Sequence, residues 1–475
     1  MVKKYRYHIA LFLIALISFS ACKSTKIEPV VINGQEYISL KSFDICDNGK
    51  EDVTSEIQAI LNTHRNVYFP KGDYRIDKSF RGKHNSQSLI ITNNTSARKI
   101  LFDKEARLIV KDDSGFVRAK SVVFKIYTES GSIDEVTIDG LTIWVDPQEV
   151  SKHITGIFAI ENNGYAIKNL KLQNCSLYNM TGAGILTYAQ RNEFTNIHTE
   201  NCGSHGIGAL NPYNLGKKHY LFIDGHTSIN DKGCSIDFSG ATPSDNSRLA
   251  KSDDKWTGIA TNIKSINSTR GIKTAGYWNL KMENVEIRDP EHYGFFINKN
   301  APGMSIHLKN FEVIGAGDVA FSLSGDTKLV GDSIRIFNCG GGINATRTEF
   351  HFNNLTIEGE GNMKFGMRLN NNGSVNDFSI SGIKDEYAPI WIKGEVVKLT
   401  NGRIFNNNAP YGILVHKSPR DVEISNIEFG AGINKRSEGQ DILVLQEKGK
   451  LKVADHTNGD KIKITNKSRI KIIEQ

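Results

Sequence analysis

The stretch NVYFPKGDYRI, residues 66–76, decides how the rest of the chain is read. It is a short strand pattern running into a Pro-Lys-Gly turn, and DVTSEIQAILN (52–62) comes just before it. In that preceding segment Val53, Ile57, Ile60 and Leu61 fall along one helical face, and Asp52 is placed to cap it. The pattern therefore predicts a short amphipathic helix leading into a strand and a tight turn. Beyond it, long helical patterns are scarce. Short alternating or apolar strands recur instead, separated by Asn/Gly turns.

The helix, the strand and the turn marked by Tyr68, Phe69, Pro70, Gly72 and Tyr74 resemble the opening of the pectate-lyase-like right-handed parallel β-helix superfamily. The match covers about 35 residues. It implies a fold and says nothing of a reaction. The remaining sequence supports that fold independently. A small residue followed by a strand recurs with markers at Gly184, Gly206, Gly233, Gly271, Gly294, Ala320, Gly342, Gly366, Ala388 and Gly412. Successive intervals are 22, 27, 38, 23, 26, 22, 24, 22 and 24 residues. A period near 24 fits one coil of a β-solenoid, whereas a propeller blade needs nearer 40. The two long intervals carry NPYNLGKKHY (211–220) and SGATPSDNSRLAKSDDKWTG (239–258), expected as surface loops that wall a cleft.

Residues 1–21, MVKKYRYHIALFLIALISFSA, read as a secretory signal: three cations, an apolar run too short to span a bilayer, and small residues before Cys22. SFSAC resembles a bacterial lipobox, so lipidation at Cys22 is expected, placing the protein in the bacterial cell envelope as an outer-membrane lipoprotein. The formal charge is +7, and removing the signal cations Lys3, Lys4 and Arg6 leaves +4 (7 − 3). No lysine-rich run suggests a nucleic-acid partner. Five further cysteines are scattered without a CxxC pair, which argues for buried thiols rather than a disulfide framework or a zinc site.

In aligned coils, equivalent residues stack at about 4.8 Å. The position before the marker reads His205, Lys232, Arg270 and Tyr293 in four consecutive coils, an ionisable column about 14 Å long (three spacings). These residue types suit β-elimination on a uronate polysaccharide. The C5 proton lies α to a carboxylate, which a fixed cation must neutralise before the proton can leave. Arg270 suits the carboxylate because its planar fork binds bidentately. His205 or Lys232 is the expected base, and Tyr293 the acid or an alternative base. Substrate contacts are expected from Lys273, Asp231, Asp237, Tyr277, Asp289, Glu291, His292 and Lys299. RDPEHYGFFIN (288–298) resembles the Asp-Pro-His-Glu signature of mannuronan C5-epimerases, with histidine and glutamate exchanged.

GSHGIG (203–208) and RGIK (270–273) resemble two polygalacturonase motifs. Inverting hydrolysis needs two carboxylates, however, and no aspartate lies between Asp146 and Asp224, where that family carries them. Asp231, Asp237, Asp289 and Glu291 keep a hydrolase as the alternative, beside a non-catalytic glycan-binding solenoid. No aspartate cluster suggests calcium, so a metal-independent reaction without cofactor is favoured.

The expected organisation is thus a signal peptide (1–21), a lipid-anchored linker (22–36), an N-terminal cap and first strand (37–80), a parallel β-helix (81–447) and C-terminal closing strands (448–475). The expected activity is that of a monomeric polysaccharide lyase on an acidic polysaccharide, glycosaminoglycan or alginate ahead of pectate.

Overall fold

The computed structural model describes residues 27–474 except 82–85, 113, 117–119, 149, 151, 162–163, 211–218, 240–255, 301, 417–420, 431–440, 446–449, 455–463 and 467–471. The signal segment, Cys22 and most of both long inserts therefore lie outside the described residues. Within them the chain is an all-β, right-handed parallel β-helix, built from one sheet of 23 strands and one of 16. Among the described residues no helix is long and apolar enough to cross a membrane.

One coil shows how the rest are made. Trp278–Arg288 is a long strand whose burial alternates, so Leu280, Met282, Val285 and Ile287 point inward. It bends at Asn284, where φ is 56°, and the chain turns again at Asp289, where φ is 50°. Tyr293–Asn300 then forms the third side of the coil. The short strand pairs in parallel with Arg270–Gly276 before it and Val319–Leu323 after it. The long strand pairs with Trp256–Ile266 and Met304–Ile314. The inside is a continuous apolar column in which Ile207, Ile236, Ile272, Phe295, Phe321 and Ile343 succeed one another.

The corners explain the Asn-rich turns of the sequence. L-residues resist positive φ, and asparagine is among the few that tolerate it. Asn262, Asn284 and Asn310 occupy the left-handed region in successive coils, and their side chains bond in a ladder. The Asn284 amide donates to Asn262 Oδ1 at 3.2 Å, and that of Asn310 to Asn284 Oδ1 at 3.1 Å. A second ladder at the next corner joins Asn179, Asn201, Asn230 and Asn267 at 3.0, 3.1 and 3.2 Å.

The N-terminal helix spans Thr54–Thr63, starting later than the sequence pattern suggests, with Val53 at its N-cap. Asp52 is not a standard cap. Its Oδ1 accepts from the Thr54 hydroxyl and from the Asp77 backbone N–H at 3.0 Å, tying the helix to the strand that follows. Gln58 then seals the open end of the short sheet, because its amide donates to Ile90 O at 3.0 Å and accepts from Ile90 N–H at 2.7 Å. An uncovered parallel edge would otherwise offer free backbone groups for aggregation. All five described cysteines are free, and every one except the half-buried Cys46 is buried.

Two consequences can be measured. Asn284→Val forces a β-branched residue into positive φ and breaks two ladder bonds. It should cost about 3–4 kcal/mol in chemical denaturation, summing a steric cost of 1–2 and roughly 1 per hydrogen bond, while Asn284→Gly costs less. His226 is fully buried inside the solenoid, and desolvation lowers its pKa to about 4. Below about pH 6.5 the unfolded chain takes up a proton that the native state refuses. Stability should therefore fall by about 3 kcal/mol between pH ~6.5 and ~4 from this group, and His226→Leu should remove that share of the slope.

Candidate functional site

The register of the short sheet determines which predicted residues meet. Cys234 stands beside Arg270, and Arg270 beside Tyr293. Ile207 stands beside Ile236, so His205 is level with Cys234 two residues earlier. The column therefore reads His205, Cys234, Arg270, Tyr293. Lys232, expected between His205 and Arg270, is exposed in the preceding bend. The sequence marker at Gly233 slips by two residues because inward burial of Ile236 and Phe238 sets the register, making Ser235 the equivalent of Gly206 and Gly271. The same cause shifts the marker at Ala388 by one, to Pro389.

A second column runs beside the first: Gly208, Asp237, Lys273, Phe296. Asp237 is its centre and is only 2% exposed. Its carboxylate accepts from Lys273 Nζ at 3.1 Å and from the Ser239 hydroxyl, and lies 3.4 Å from His205 Nε2. His205 Nδ1 accepts the Cys234 backbone N–H at 3.1 Å, so the ring proton belongs on Nε2, facing Asp237. Burial lowers the His205 pKa; Asp237 opposes this, and Lys273 and Arg270 reinforce it. His205 is consequently a neutral imidazole with both nitrogens engaged. It holds Asp237 in place and has no lone pair free to act as a base.

Arg270 is half-buried, and its Nε is buried without a hydrogen-bond partner. It packs over Phe296, with its guanidinium carbon 6.0 Å from the ring centroid. Among the described residues it makes no ion pair. Tyr293 is also half-buried and stacks on Phe296 with ring centroids 5.0 Å apart and planes at 20°. The two functional groups thus share one aromatic support.

The other predicted residues fall elsewhere. Asp231 is fully buried, and its carboxylate accepts from Thr199, Ser228 and the Cys202 N–H at 2.7, 2.6 and 2.8 Å. It ties the corner together and cannot reach a substrate. Tyr277 is 7% exposed and packs edge-on to Trp256, beneath the surface rather than on it. Asp289 occupies a left-handed corner, its Oδ1 2.2 Å from where a side chain at Gly315 would begin. Glu291 and His292 are on the turn before Tyr293. Glu291 accepts from the Thr269 hydroxyl at 3.2 Å, and His292 Nδ1 is 2.8 Å from Asp318 Oδ2. Lys299 lies in the strand Tyr293–Asn300, with its side chain outside the described residues.

Phe296 and Ser239 are missed by the sequence reading. A signal for Phe296 exists: it follows Tyr293 by three residues, just as Lys273 follows Arg270 and Asp237 follows Cys234. One ligand atom each of His205, Cys234 and Asp237 lies within 4.8 Å of the others, a spacing a metal ion could bridge. The chemistry fits the Lys273 ammonium better. That group already neutralises Asp237, burial pushes the Cys234 thiol up to about 12, and His205 Nδ1 is committed to the backbone.

The chain thus has a right-handed parallel β-helix fold, with a cation-bearing patch on its short sheet. No protein-family model matches the sequence, and no curated protein matches it. Solved structures similar to it in fold include the surface adhesin PfbA of Streptococcus pneumoniae, at 12% identity over 90% of this chain and 94% of that one, TM-score 0.38. Another is the A-module of mannuronan C-5 epimerase AlgE6 from Azotobacter vinelandii, at 13% identity over 83% and 98%, TM-score 0.34. A third is the catalytic domain of a GH87 α-1,3-glucanase, at 15% identity over 88% and 69%, TM-score 0.32.

Asp237→Ala should cost about 3 kcal/mol, because it strands a partly buried ammonium. Adding Lys273→Met should recover most of that loss. A double-mutant cycle by chemical denaturation measures the coupling.

Proposed function

We propose that this chain is an exported polysaccharide lyase that breaks a uronate-containing acidic polysaccharide by β-elimination. The observation that carries this reading is Arg270: a half-buried guanidinium with an unbonded Nε and no acidic partner among the described residues, beside a phenol. A cation held without a carboxylate of its own is suited to take one from a ligand.

In this reading Arg270 binds the uronate carboxylate and stabilises the charge that develops as the C5 proton leaves. His205 is engaged at both nitrogens and Lys232 lies outside the column, which leaves Tyr293 as the proton-transfer group. Its phenolate takes the C5 proton, a double bond forms between C4 and C5, and the C4–O4 bond breaks. The departing oxygen then recovers that proton from the Tyr293 phenol. Lys273, fixed by Asp237, adds positive field without entering the proton transfer. Within these two columns Asp237 is the one carboxylate, and it is already neutralised, whereas a typical glycoside hydrolase needs two. The same reading takes residues 1–21 as an export signal and Cys22 as the lipid attachment point that holds the enzyme at the envelope.

Incubation with chondroitin sulfate, hyaluronan, alginate and polygalacturonate, followed by ultraviolet absorbance of the unsaturated uronate, tests the proposal. One polymer should give a rising signal. Arg270→Ala should lower its rate by about 10²–10³ and Tyr293→Phe by at least 10². Reducing ends without that absorbance would replace elimination with hydrolysis.

A further inference from the structure

Four to five coils beyond Lys273 the same outward column reaches a second group of cations. Register carries Lys273 to Phe296, Ser322, Asn344, Arg368 and Trp391 in turn. Arg368 is thus about 19 Å and Trp391 about 24 Å along the column (four and five spacings). Many surface cations among the described residues are paired with carboxylates, as Arg347 is with Asp326 and Lys309 with Glu283. Arg368 and Lys393 are held differently. The Arg368 guanidinium carbon sits 4.1 Å from the Phe365 ring centroid and 5.2 Å from that of Trp391. Lys393 Nζ is 5.2 Å from the Trp391 centroid. Neither makes an ion pair among the described residues, and Arg368 Nε is buried without a hydrogen-bond partner.

Aromatic faces orient these cations without cancelling their charge. The buried acid Asp385 accepts from Tyr387 N–H at 2.8 Å and Ala388 N–H at 3.2 Å, and it also interacts with Trp391 and, through space, with Arg368 without forming an ion pair. Tyr387 is 46% exposed and meets Trp391 edge-on at 5.7 Å, and a cleft of about 790 Å³ opens beside it, lined by Lys364 and Lys384 together with Asp385 and Glu386. Between this station and Arg270 the floor is low and polar: Ser322 and Asn344 occupy the column, with Ser324 and Thr346 beside them.

We propose that Arg368 and Lys393, racked on Phe365 and Trp391, form a second anion-binding station for a carboxylate or sulfate of the same polysaccharide chain that Arg270 engages. The proposal rests on the lyase reading for the identity of the ligand. Its consequence is selection for length. A chain long enough to cover both stations gains from holding two sites at once, and a short oligosaccharide does not.

Equilibrium titration calorimetry at low salt, with the four polymers and with a tetrasaccharide of whichever polymer binds, provides the test. Arg368→Gln with Lys393→Gln should weaken polymer binding at least tenfold and flatten its salt dependence, while tetrasaccharide affinity stays unchanged. Arg368→Lys should restore part of the loss. Circular dichroism and the thermal midpoint confirm that each variant is folded. Unchanged polymer affinity in the double variant, equal losses for polymer and tetrasaccharide, or no binding of any polymer to the unsubstituted protein would each overturn the station. The two readings fail separately. Retained polymer binding without unsaturated product would remove the elimination chemistry and leave the station standing.

Discussion

Everything described here depends on a corner that keeps its shape from one coil to the next. At Asn262, Asn284 and Asn310 the backbone adopts a conformation that most L-residues avoid, and the side chains of Asn284 and Asn310 each bond the asparagine in the coil below. The steric cost of positive φ and the compensating ladder bond are each about 1 kcal/mol. Repetition makes them decisive, since a shift of one residue in any coil would break the ladder and turn the apolar face outward. Where the ladder residue changes, to Gly225, Ser333 or Asp377, the conformation persists. In-register stacking is therefore imposed by the corners and the apolar interior together, and any surface column inherits that order.

The short sheet shows what such order permits. A column of side chains about 4.8 Å apart can hold like charges close together only if something offsets their repulsion. The protein uses two devices. Lys273 is matched by a buried carboxylate that a neutral histidine helps to position. Arg270, Arg368 and Lys393 are instead supported by aromatic rings, which fix a cation while leaving its charge available. The first device uses up a charge, and the second presents one.

Much of this could be read in advance, and the limits of that reading are physical. The cap segment around Tyr68–Tyr74 and the period near 24 residues point to the solenoid, because both arise from neighbours close in sequence. His205, Arg270 and Tyr293 could be placed in one column because the strands near them begin with the same pattern. Lys232 could not, since the glycine beside it imitates a coil marker while burial of Ile236 sets the true alignment. Asp231 and Tyr277 look like surface residues by type, yet the first is consumed by Thr199, Ser228 and Cys202 and the second is buried edge-on against Trp256.

By itself, then, the sequence determined the class of fold, the coil length, the helix at the N-terminal end and the region where charge concentrates. Residues two to four apart encode all of these through alternation and turn chemistry. Only the tertiary structure decided which cations among the described residues are paired with carboxylates, that His205 faces Asp237 while its Nδ1 accepts the Cys234 N–H, and that Phe296 underlies both Arg270 and Tyr293. Of those relations, His205 with Asp237 and Arg270 with Phe296 join residues on successive coils, 32 (205 to 237) and 26 (270 to 296) positions apart. No local pattern spans such a gap; the corners and the buried interior together bring them side by side.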